Sequence, residues 1–326
     1  MITMDFYDCN RRDIIDNWQQ TQVGWRSRIP AFLLRGWSES ANGFPKIIQE
    51  VAGMAKEQTF ELVNYMVEDR IAWITLNNAE RMNALSTGIQ NGLWYAFEEA
   101  INDDDVLVVV VTSEGGRAFC AGADLKEMTE RDQASGQGAP QPAKNGVGKI
   151  TECLKPVIAA IDGYALAGGM QTSARCDFRI ATEKSRFGMP EPLRSLTPIN
   201  TMDTMEMGFV PLGEALWIIL SGEHLTAQRA YEIGFVQAIV PDREALWVEA
   251  KRRAEVLKLC APLAVQALKK GVHLHMNPPT PPEGKPLLDH LKDLNADLQE
   301  KVANSEDRLE GPKAFAEKRA PNWKGR

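Results

Sequence analysis

Hydrophobic and polar residues alternate along MAKEQTFELVNYMVEDRIAWITLNN, which begins at residue 54. Because successive side chains of a strand point to opposite faces, this alternation predicts a β-hairpin that continues into the strand IAWITL. The later run VLVVVVTS is continuously apolar and β-branched, which is typical of a strand covered on both faces. The first third of the chain after residue 54 therefore predicts a sheet with a buried interior.

A helical period interrupts these strands. In LSTGIQNGLWYAFEEAIN, Leu93, Phe97 and Ala100 fall on one side of a predicted amphipathic helix. Further along, PVIAAIDGYAL predicts a third strand, and FRIATEKSRFGMPE predicts a fourth strand and a short fifth. Strands separated by helices predict right-handed β–α–β units and an α/β fold.

Residues 1–53 show no sustained period, and Met54-Ala-Lys resembles an ordinary protein start. We therefore predict three regions: an N-terminal extension of uncertain order at 1–53, a core at 54–258, and a C-terminal helical region at 259–326. The extension is interpreted as sequence upstream of a true start at Met54. The alternative is an accessory segment that packs on the core.

Composition excludes several classes of protein. The net charge of −7 gives little support to nucleic-acid binding, and no apolar run reaches the roughly 18 residues of a membrane span. The cysteines lack any CxxC pattern and are predicted to be reduced thiols of a cytoplasmic protein, and the few histidines predict no metal site. These residues are Cys9, Cys120, Cys153, Cys176 and Cys260, and His224, His273, His275 and His290.

Two segments have the same sequence pattern, FCAGADL at 119–125 and YALAGGMQ at 164–171. Each leaves a strand, passes small residues and enters a helix, so a ligand can approach backbone N–H groups closely. Two such groups converging on one oxygen would form an oxyanion hole. Either segment alone is more often only a tight turn, but the two together favour the oxyanion hole.

Six sequence segments, taken in their order and spacing, resemble the crotonase superfamily, also called the enoyl-CoA hydratase/isomerase family. The resemblance extends from about Glu61 to Arg326. The resemblance implies a crotonase (ClpP-like) spiral of ββα units with a C-terminal helical trimerisation region, and trimers that often pair into hexamers. The segments are RIAWITLNN with RMNALS, GGRAFCAGADLKEM, KPVIAAIDGYALAGG, FGMPE, AYEIGFVQAIVP and SEDRLEGPKAFAEKRAPNWKGR.

The resemblance also implies a substrate and a site. The backbone N–H groups of Ala123 and Gly168 would hold the thioester oxygen of an acyl-CoA, with coenzyme A as part of the substrate and no covalently bound cofactor. The positions that would contact coenzyme A are Ala84, Ala121, Ala123 and Lys126, together with Phe315 and Lys318 of a neighbouring subunit. For Lys126 and Lys318, an ordinary solvated charge on a helix is the open alternative.

Hydratases of the family carry two glutamates, and the first of these positions is Gln171 here, whereas the second is Glu191. Gln171 can hydrogen-bond but cannot exchange a proton near neutral pH, so Glu191 becomes the main acid–base group. One base can shift a double bond, and some isomerases and some hydratase-lyases of the family keep only this glutamate. The alternative for Glu191 is a capping or ion-pairing carboxylate.

The segment after Glu191 departs from the glycine-rich pattern of the family. Ile199, Asn200, Thr201, Met202 and Asp203 replace glycines in a segment that the resemblance places at the acyl pocket or the trimer contact. Met202, Met205 and Met207 predict a reshaped apolar pocket, in which Asn200 and Asp203 could contact a polar substrate group, and simple helix packing is the alternative. Tyr164 and Trp217 are expected in the core.

We therefore expect an enoyl-CoA hydratase/isomerase-type enzyme of fatty acid metabolism that stabilises a thioester enolate. Thioester hydrolysis, C–C cleavage and an inactive acyl-CoA-binding protein remain alternatives, and the charge balance disfavours RNA binding.

Overall fold

The structure is a computed structural model that describes residues 56–130 with their side chains, the backbone of 131–135, and residues 144–196 and 210–326. The predicted extension at 1–53 and the altered run at 199–203 both lie outside these ranges.

The described elements, in chain order, combine eleven strands and ten helices. They are β1 (Lys56–Phe60), β2 (Val63–Glu68), β3 (Ile71–Leu76), α1 (Thr87–Asn102), β4 (Val108–Ser113), β5 (Ala118–Cys120), α2 (Leu125–Ser135), α3 (Gly146–Glu152), β6 (Val157–Ile161), β7 (Tyr164–Leu166), α4 (Gly168–Ala174), β8 (Phe178–Thr182), β9 (Arg186–Gly188), α5 (Leu212–Ser221), β10 (Leu225–Thr226), α6 (Ala227–Glu232), β11 (Ala238–Val240), α7 (Arg243–Lys258), α8 (Pro262–Met276), α9 (Leu287–Asn304) and α10 (Glu306–Ala316). Two short 3₁₀ helices cover Ala79–Arg81 and Glu191–Arg194.

A seven-stranded sheet forms the main layer, in the order β1-β2-β3-β4-β6-β8-β11. The hairpins β1–β2 and β2–β3 are antiparallel, and the pairs from β3 onward are parallel. Every side chain of β3 and β4 is buried, because α1 packs against one side of the sheet and α7 against the other. Trp73 of β3 stacks on Trp247 of α7 with 4.7 Å between ring centroids. The prediction of a doubly covered strand at VLVVVVTS is confirmed.

Helix α1 confirms the helical period read from the sequence. Leu93, Phe97 and Ala100 are fully buried on the face that packs toward the sheet. Ser86 caps the first turn, since its side chain accepts a hydrogen bond from the N–H of Ile89 at 3.3 Å.

A second, four-stranded sheet has the order β10-β9-β7-β5, and its three neighbouring strands β5, β7 and β9 are parallel. The chain moves repeatedly from a strand of the large sheet to a short strand of this second sheet, as in β4 to β5, β6 to β7 and β8 to β9. This repeat, with helices between, is the ββα spiral that the crotonase resemblance implied.

One predicted strand is divided between the two sheets. PVIAAIDGYAL was expected to be continuous, but β6 ends at Ile161 and β7 begins at Tyr164 in the other sheet. The chain turns at Gly163, whose φ is +87° and where a side-chain carbon would lie 2.2 Å from the carbonyl oxygen of Arg117. The sequence does not show this turn, because both the buried β6 and the partly buried β7 are predominantly apolar.

Helices α8 to α10 form the C-terminal part of the chain. Helix α8 packs against α9, and Asn295 donates a hydrogen bond to the carbonyl of Ala267 at 3.1 Å. The tail returns toward the end of α7, where the indole of Trp323 donates to the carbonyl of Leu259 at 2.8 Å. The division of the chain at 258/259 stays a prediction. Within the described ranges, no helix has the length and hydrophobicity that a membrane span requires.

Candidate active site

Three candidate segments leave neighbouring strands of the second sheet. Residues 121–124 follow β5, residues 167–171 follow β7, and residues 189–191 follow β9. The strands are parallel and adjacent, with Cys120 opposite Ala165 and Leu166 opposite Gly188. Because the carboxyl ends of parallel strands lie at one edge of a sheet, all three segments begin at the same edge. The fold thus brings together the parts of the sequence that were singled out for chemistry.

The first two segments touch through glycines. Gly122 has a φ of +95°, and a side-chain carbon at this position would lie 3.3 Å from the nitrogen of Gly168. A side-chain carbon on Gly169 would lie 2.0 Å from the carbonyl oxygen of Cys120. Such contacts leave no room for any larger residue, so the bare backbone of AGG is required by the approach of the two loops.

The amide groups of Ala123 and Gly168 are not engaged by any described residue. Ala167, directly before Gly168, adopts φ +52° and ψ −126°, a conformation that is unfavourable for any residue with a side chain. Its own N–H donates to the carbonyl of Gly188 at 2.8 Å, which holds the strained residue in place. Two unengaged N–H groups on touching loops are what an oxyanion hole needs, and that role stays a prediction.

The three alanines predicted to contact coenzyme A lie on joined segments. Leu85 forms a parallel bridge with Ala123, and the N–H of Ala121 donates to the carbonyl of Met82 at 3.1 Å. Ala84 is buried, whereas Ala121 is half-buried and Ala123 is exposed. The segment at 82–85 therefore lies beside the loop that follows β5.

An ion pair that the sequence analysis missed fixes this loop. Asp124 is 6% exposed, accepts a hydrogen bond from Arg81 at 2.8 Å and caps α2 by accepting the N–H of Glu127 at 3.1 Å. Burial alone would raise the pKa of Asp124, but these hydrogen bonds outweigh it and the pKa is lowered. An Asp directly before the first apolar residue of a helix is a capping signal that could have identified Asp124.

Gln171 and Glu191 both lie partly buried and incompletely hydrogen-bonded. The Nε2 atom of Gln171 and the Oε2 atom of Glu191 are buried without a hydrogen-bond partner among the described residues. Burial raises the pKa of Glu191, while its own backbone N–H and the positive charge of Arg194 oppose this rise. Buried polar atoms are normally satisfied, so a water or a polar substrate group fits both side chains.

A buried arginine, also missed, holds the helix that carries Gln171. Arg179 is 1% exposed and donates hydrogen bonds to the carbonyls of Cys176 at 2.7 Å and Ser173 at 3.2 Å, at the carboxyl end of α4. It also donates to the carbonyl of Phe235 at 2.5 Å. Burial lowers its pKa to about 10, so it remains charged at neutral pH. A charged residue inside the apolar strand FRIA is the sequence signal for such a buried anchor.

The predicted nucleotide contacts all lie on the surface. Lys126 is exposed on α2, and its Nζ lies 4.0 Å from a carboxylate oxygen of Glu130. Phe315 is 76% exposed near the end of α10, and the N–H of Lys318 donates to its carbonyl at 3.2 Å. Contact of Phe315 and Lys318 with a neighbouring subunit stays a prediction.

Two aromatic residues expected in the core are at the surface. Tyr164 is 37% exposed and its ring lies edge-on to His224, with 6.1 Å between centroids. Trp217 is 58% exposed, and its indole donates to Glu223 at 3.1 Å. The prediction is wrong because Tyr164 begins a short strand at the outer side and Trp217 lies on the outer face of α5.

The thiol of Cys120 is not a nucleophile. Burial raises the pKa of Cys120, at the end of β5, to about 12, so its thiol stays protonated at neutral pH. Within the ranges that the structure describes, no three side chains of His, Cys, Asp or Glu come together as metal ligands would. The catalytic roles of the backbone amides, Gln171 and Glu191 stay predictions.

The family model described as Enoyl-CoA hydratase/isomerase matches residues 67–326. The chain belongs to the enoyl-CoA hydratase/isomerase family of acyl-CoA enzymes. It is 34% identical over 256 residues to enoyl-CoA hydratase EchA19 of Mycobacterium tuberculosis, covering 78% of this chain and 92% of that protein. It is also 34% identical over 267 residues to (E)-benzylidenesuccinyl-CoA hydratase of Thauera aromatica, covering 81% and 99% of the two chains.

A solved structure shares the fold of this family member. The enoyl-CoA hydratase/isomerase of Mycobacterium paratuberculosis superposes with a TM-score of 0.68 at 35% identity, covering 82% of this chain and all of the other. The crotonase fold expected from the sequence is thereby confirmed.

Proposed function

We propose that this enzyme adds water to a 2-enoyl-CoA thioester. The N–H groups of Ala123 and Gly168 receive the thioester oxygen, and Glu191 exchanges the proton. The observation that carries the proposal is the pair of unengaged amides on touching loops, at the same sheet edge as the partly buried Glu191, whose Oε2 atom has no hydrogen-bond partner among the described residues. The word hydratase in the names of both relatives supports water addition.

The two unpartnered polar atoms have complementary hydrogen-bonding roles. The Nε2 atom of Gln171 is a donor, and the ionised Glu191 carboxylate is an acceptor. One water can accept from Gln171 and donate to Glu191, which directs a lone pair of the water oxygen toward the substrate. Glu191 takes a proton from this water as its oxygen bonds to the β-carbon. The same proton then goes to the α-carbon, so one water is added across the double bond.

Charge develops on the thioester oxygen during this step. As the water oxygen bonds to the β-carbon, the electrons of the double bond move through the α-carbon onto the thioester oxygen and form an enolate. Each N–H aimed at such an oxygen contributes about 2.7–4 kcal/mol to transition-state stabilisation in comparable enzymes. The raised pKa of Glu191 brings its acid–base equilibrium closer to neutrality, where one group can both take and return a proton.

Gln171 also favours a second reaction, the shift of a double bond. An amide cannot exchange protons, so a site with Glu191 as its main acid–base group can move a proton between the α- and γ-carbons without adding water. Water addition needs Gln171 to orient a water, whereas the double-bond shift needs only that Gln171 leave room for the substrate. Both reactions use the same enolate and the same two amides.

The proposed function also includes the binding of coenzyme A and the assembly of subunits. The segment at 82–85 and the loop with Ala121 and Ala123 line the coenzyme A channel, with Lys126 near its phosphates. Phe315 and Lys318 reach the nucleotide of a neighbouring subunit in a trimer or a hexamer built of two trimers. The high exposure of Phe315 supports this, because a large apolar side chain at the surface is often an interface residue.

One experiment separates these reactions. Purified enzyme is incubated with a 2-enoyl-CoA or a 3-enoyl-CoA in deuterated water, and the products are followed by mass spectrometry and NMR. Water addition to the 2-enoyl ester supports the first proposal, and a positional shift with deuterium at the α- or γ-carbon supports the second. Release of free coenzyme A, or no deuterium in any ester that binds, contradicts both. The Glu191→Gln variant serves as the control that loses the reaction but keeps the fold.

A further inference from the structure

Arg194 lies on the same short helix as Glu191. The 3₁₀ helix Glu191–Arg194 begins with the carboxylate and ends with the guanidinium. Because a 3₁₀ helix has three residues per turn, side chains three positions apart point to the same side. The Nη1 atom of Arg194 donates to the carbonyl of Pro190 at 3.2 Å, and Pro190 directly precedes Glu191. The guanidinium is therefore folded back along the helix toward the carboxylate.

Arg194 has no acidic partner among the described residues. Its guanidinium donates to the carbonyl of Pro190, and no carboxylate of the described ranges lies within 4.0 Å of it. Some other surface arginines of the described ranges do pair with a carboxylate. Arg229 pairs with Glu214, Arg252 pairs with Glu249 and Arg319 pairs with Glu310.

The surroundings of Arg194 add further positive charge. Arg186 of β9 donates to the carbonyl of Ser185 at 2.8 Å and also has no carboxylate partner within the described ranges. Arg194 and Arg186 both lower the pKa of His224, after the larger effect of burial. His224 in turn contacts the ring of Tyr164. Two positively charged side chains, Arg186 and Arg194, thus act on His224, although Glu223 directly precedes it and the whole chain carries a net charge of −7.

We propose that Arg194 binds a second carboxylate at the far end of the acyl group, so that the substrate is the coenzyme A thioester of an unsaturated dicarboxylic acid. The inference rests on the proposed function, since the acyl chain must run from the loops at Ala123 and Gly168 past Glu191. A guanidinium offers a planar fork of N–H donors that matches a carboxylate, and only one donor is committed to Pro190.

The test uses saturated acyl-CoA esters, which bind but cannot be hydrated. Two esters of equal chain length are compared by calorimetry, one ending in a carboxylate and one in a methyl group, over a series of lengths. We expect wild type to bind the carboxylate ester about 10- to 100-fold more tightly at the best length. In Arg194→Met this ratio falls to about 1, and in Arg194→Lys, which keeps the charge but loses the fork, it is intermediate.

Arg229→Met is the matched control. It removes one surface arginine that pairs with glutamates, so it changes the net charge equally but leaves the ratio at the wild-type value. An equal affinity for both esters in wild type, or a preference that survives in Arg194→Met, overturns the proposal. So does the absence of binding by either ester.

Failure of the proposed function gives a different result. If the esters bind with the expected ratio but enoyl-CoA substrates are neither hydrated nor isomerised, the carboxylate site stands and the reaction is wrong. If turnover is observed but the ratio is 1 at every chain length, the reaction stands and the carboxylate site is wrong.

Discussion

Gly169 meets the carbonyl oxygen of Cys120 so closely that a side-chain carbon at residue 169 would lie 2.0 Å from that oxygen. Cys120 ends β5 and Gly169 lies in the first turn of α4, so this contact sets how near the two loops can approach. The neighbouring amides of Ala123 and Gly168 depend on that approach for their proposed use. A small change at Gly169 should therefore affect both the fold and the chemistry.

Gly169→Ala should destabilise the protein by about 1–3 kcal/mol, because a backbone oxygen cannot move aside as a flexible side chain would. It should also reduce turnover by separating the two loops. Gly213→Ala is the matched control, since Gly213 lies in α5 and a side-chain carbon there meets nothing within 4 Å. Urea unfolding and enoyl-CoA turnover measure both effects. Equal behaviour of the two variants would show that the close contact does not constrain the loops.

Glu191→Gln should lower turnover by about 10²- to 10⁴-fold, the usual contribution of a general acid–base group. Acyl-CoA affinity should change little, because glutamine keeps the size and hydrogen-bonding capacity of the side chain. Steady-state kinetics and calorimetric binding of a saturated ester test the two parts separately. Undiminished turnover would exclude Glu191 as the base.

The same substitution should stabilise the fold at neutral pH. Burial raises the pKa of Glu191 above the ordinary glutamate value of 4.5. A carboxyl group with a raised folded pKa contributes stability below its unfolded pKa and loses that contribution as the pH rises through the folded pKa. The melting temperature of Glu191→Gln should therefore exceed that of wild type by roughly a degree or two at pH 8, with the difference shrinking toward pH 4.5. A difference that does not vary with pH would contradict the raised pKa.

Long periodic elements and the glycine-containing loops could be predicted from the sequence. The helical period of α1 and the β-branched run of β4 predicted their structures because each is long enough to show which faces are buried. The contact between the two glycine-containing loops could also be predicted. Glycine reduces the stability of the folded chain, so two such loops after two strands indicate that another segment must approach their backbone closely.

Other features had no sequence signal of that kind. Strands β5, β7 and β9 have three residues each, too few to show a period, so the change of sheet at Gly163 was missed. Tyr164 and Trp217 were expected to be buried because aromatic residues usually are, but their burial depends on neighbours that the sequence pattern does not identify. The anchoring roles of Arg179 and Asp124 likewise depend on tertiary partners.

Arg194→Met should move the pH dependence of the reaction. The positive charge of Arg194 opposes the rise in the pKa of Glu191, so its removal should raise that pKa further and shift the acidic limb of kcat/KM to higher pH. Arg186→Met is the control, because Arg186 influences His224 and is not among the causes of the shift at Glu191. A pH–rate profile for each protein with a methyl-ended enoyl-CoA measures the limb. Equal shifts in both variants would point to a general effect of net charge.

Gln171→Glu should increase water addition relative to the double-bond shift. A second carboxylate beside Glu191 provides another proton acceptor for the water, and two nearby carboxylates raise the pKa of one of them, so that one can act as acid and the other as base. We expect the ratio of hydrated to isomerised product to rise by about 10-fold or more. Gln171→Leu, which can neither donate to a water nor accept a proton, should lower the same ratio. Product analysis by NMR in deuterated water measures all three proteins. If the ratio is the same in all of them, Gln171 does not orient the water and Glu191 alone determines which reaction occurs.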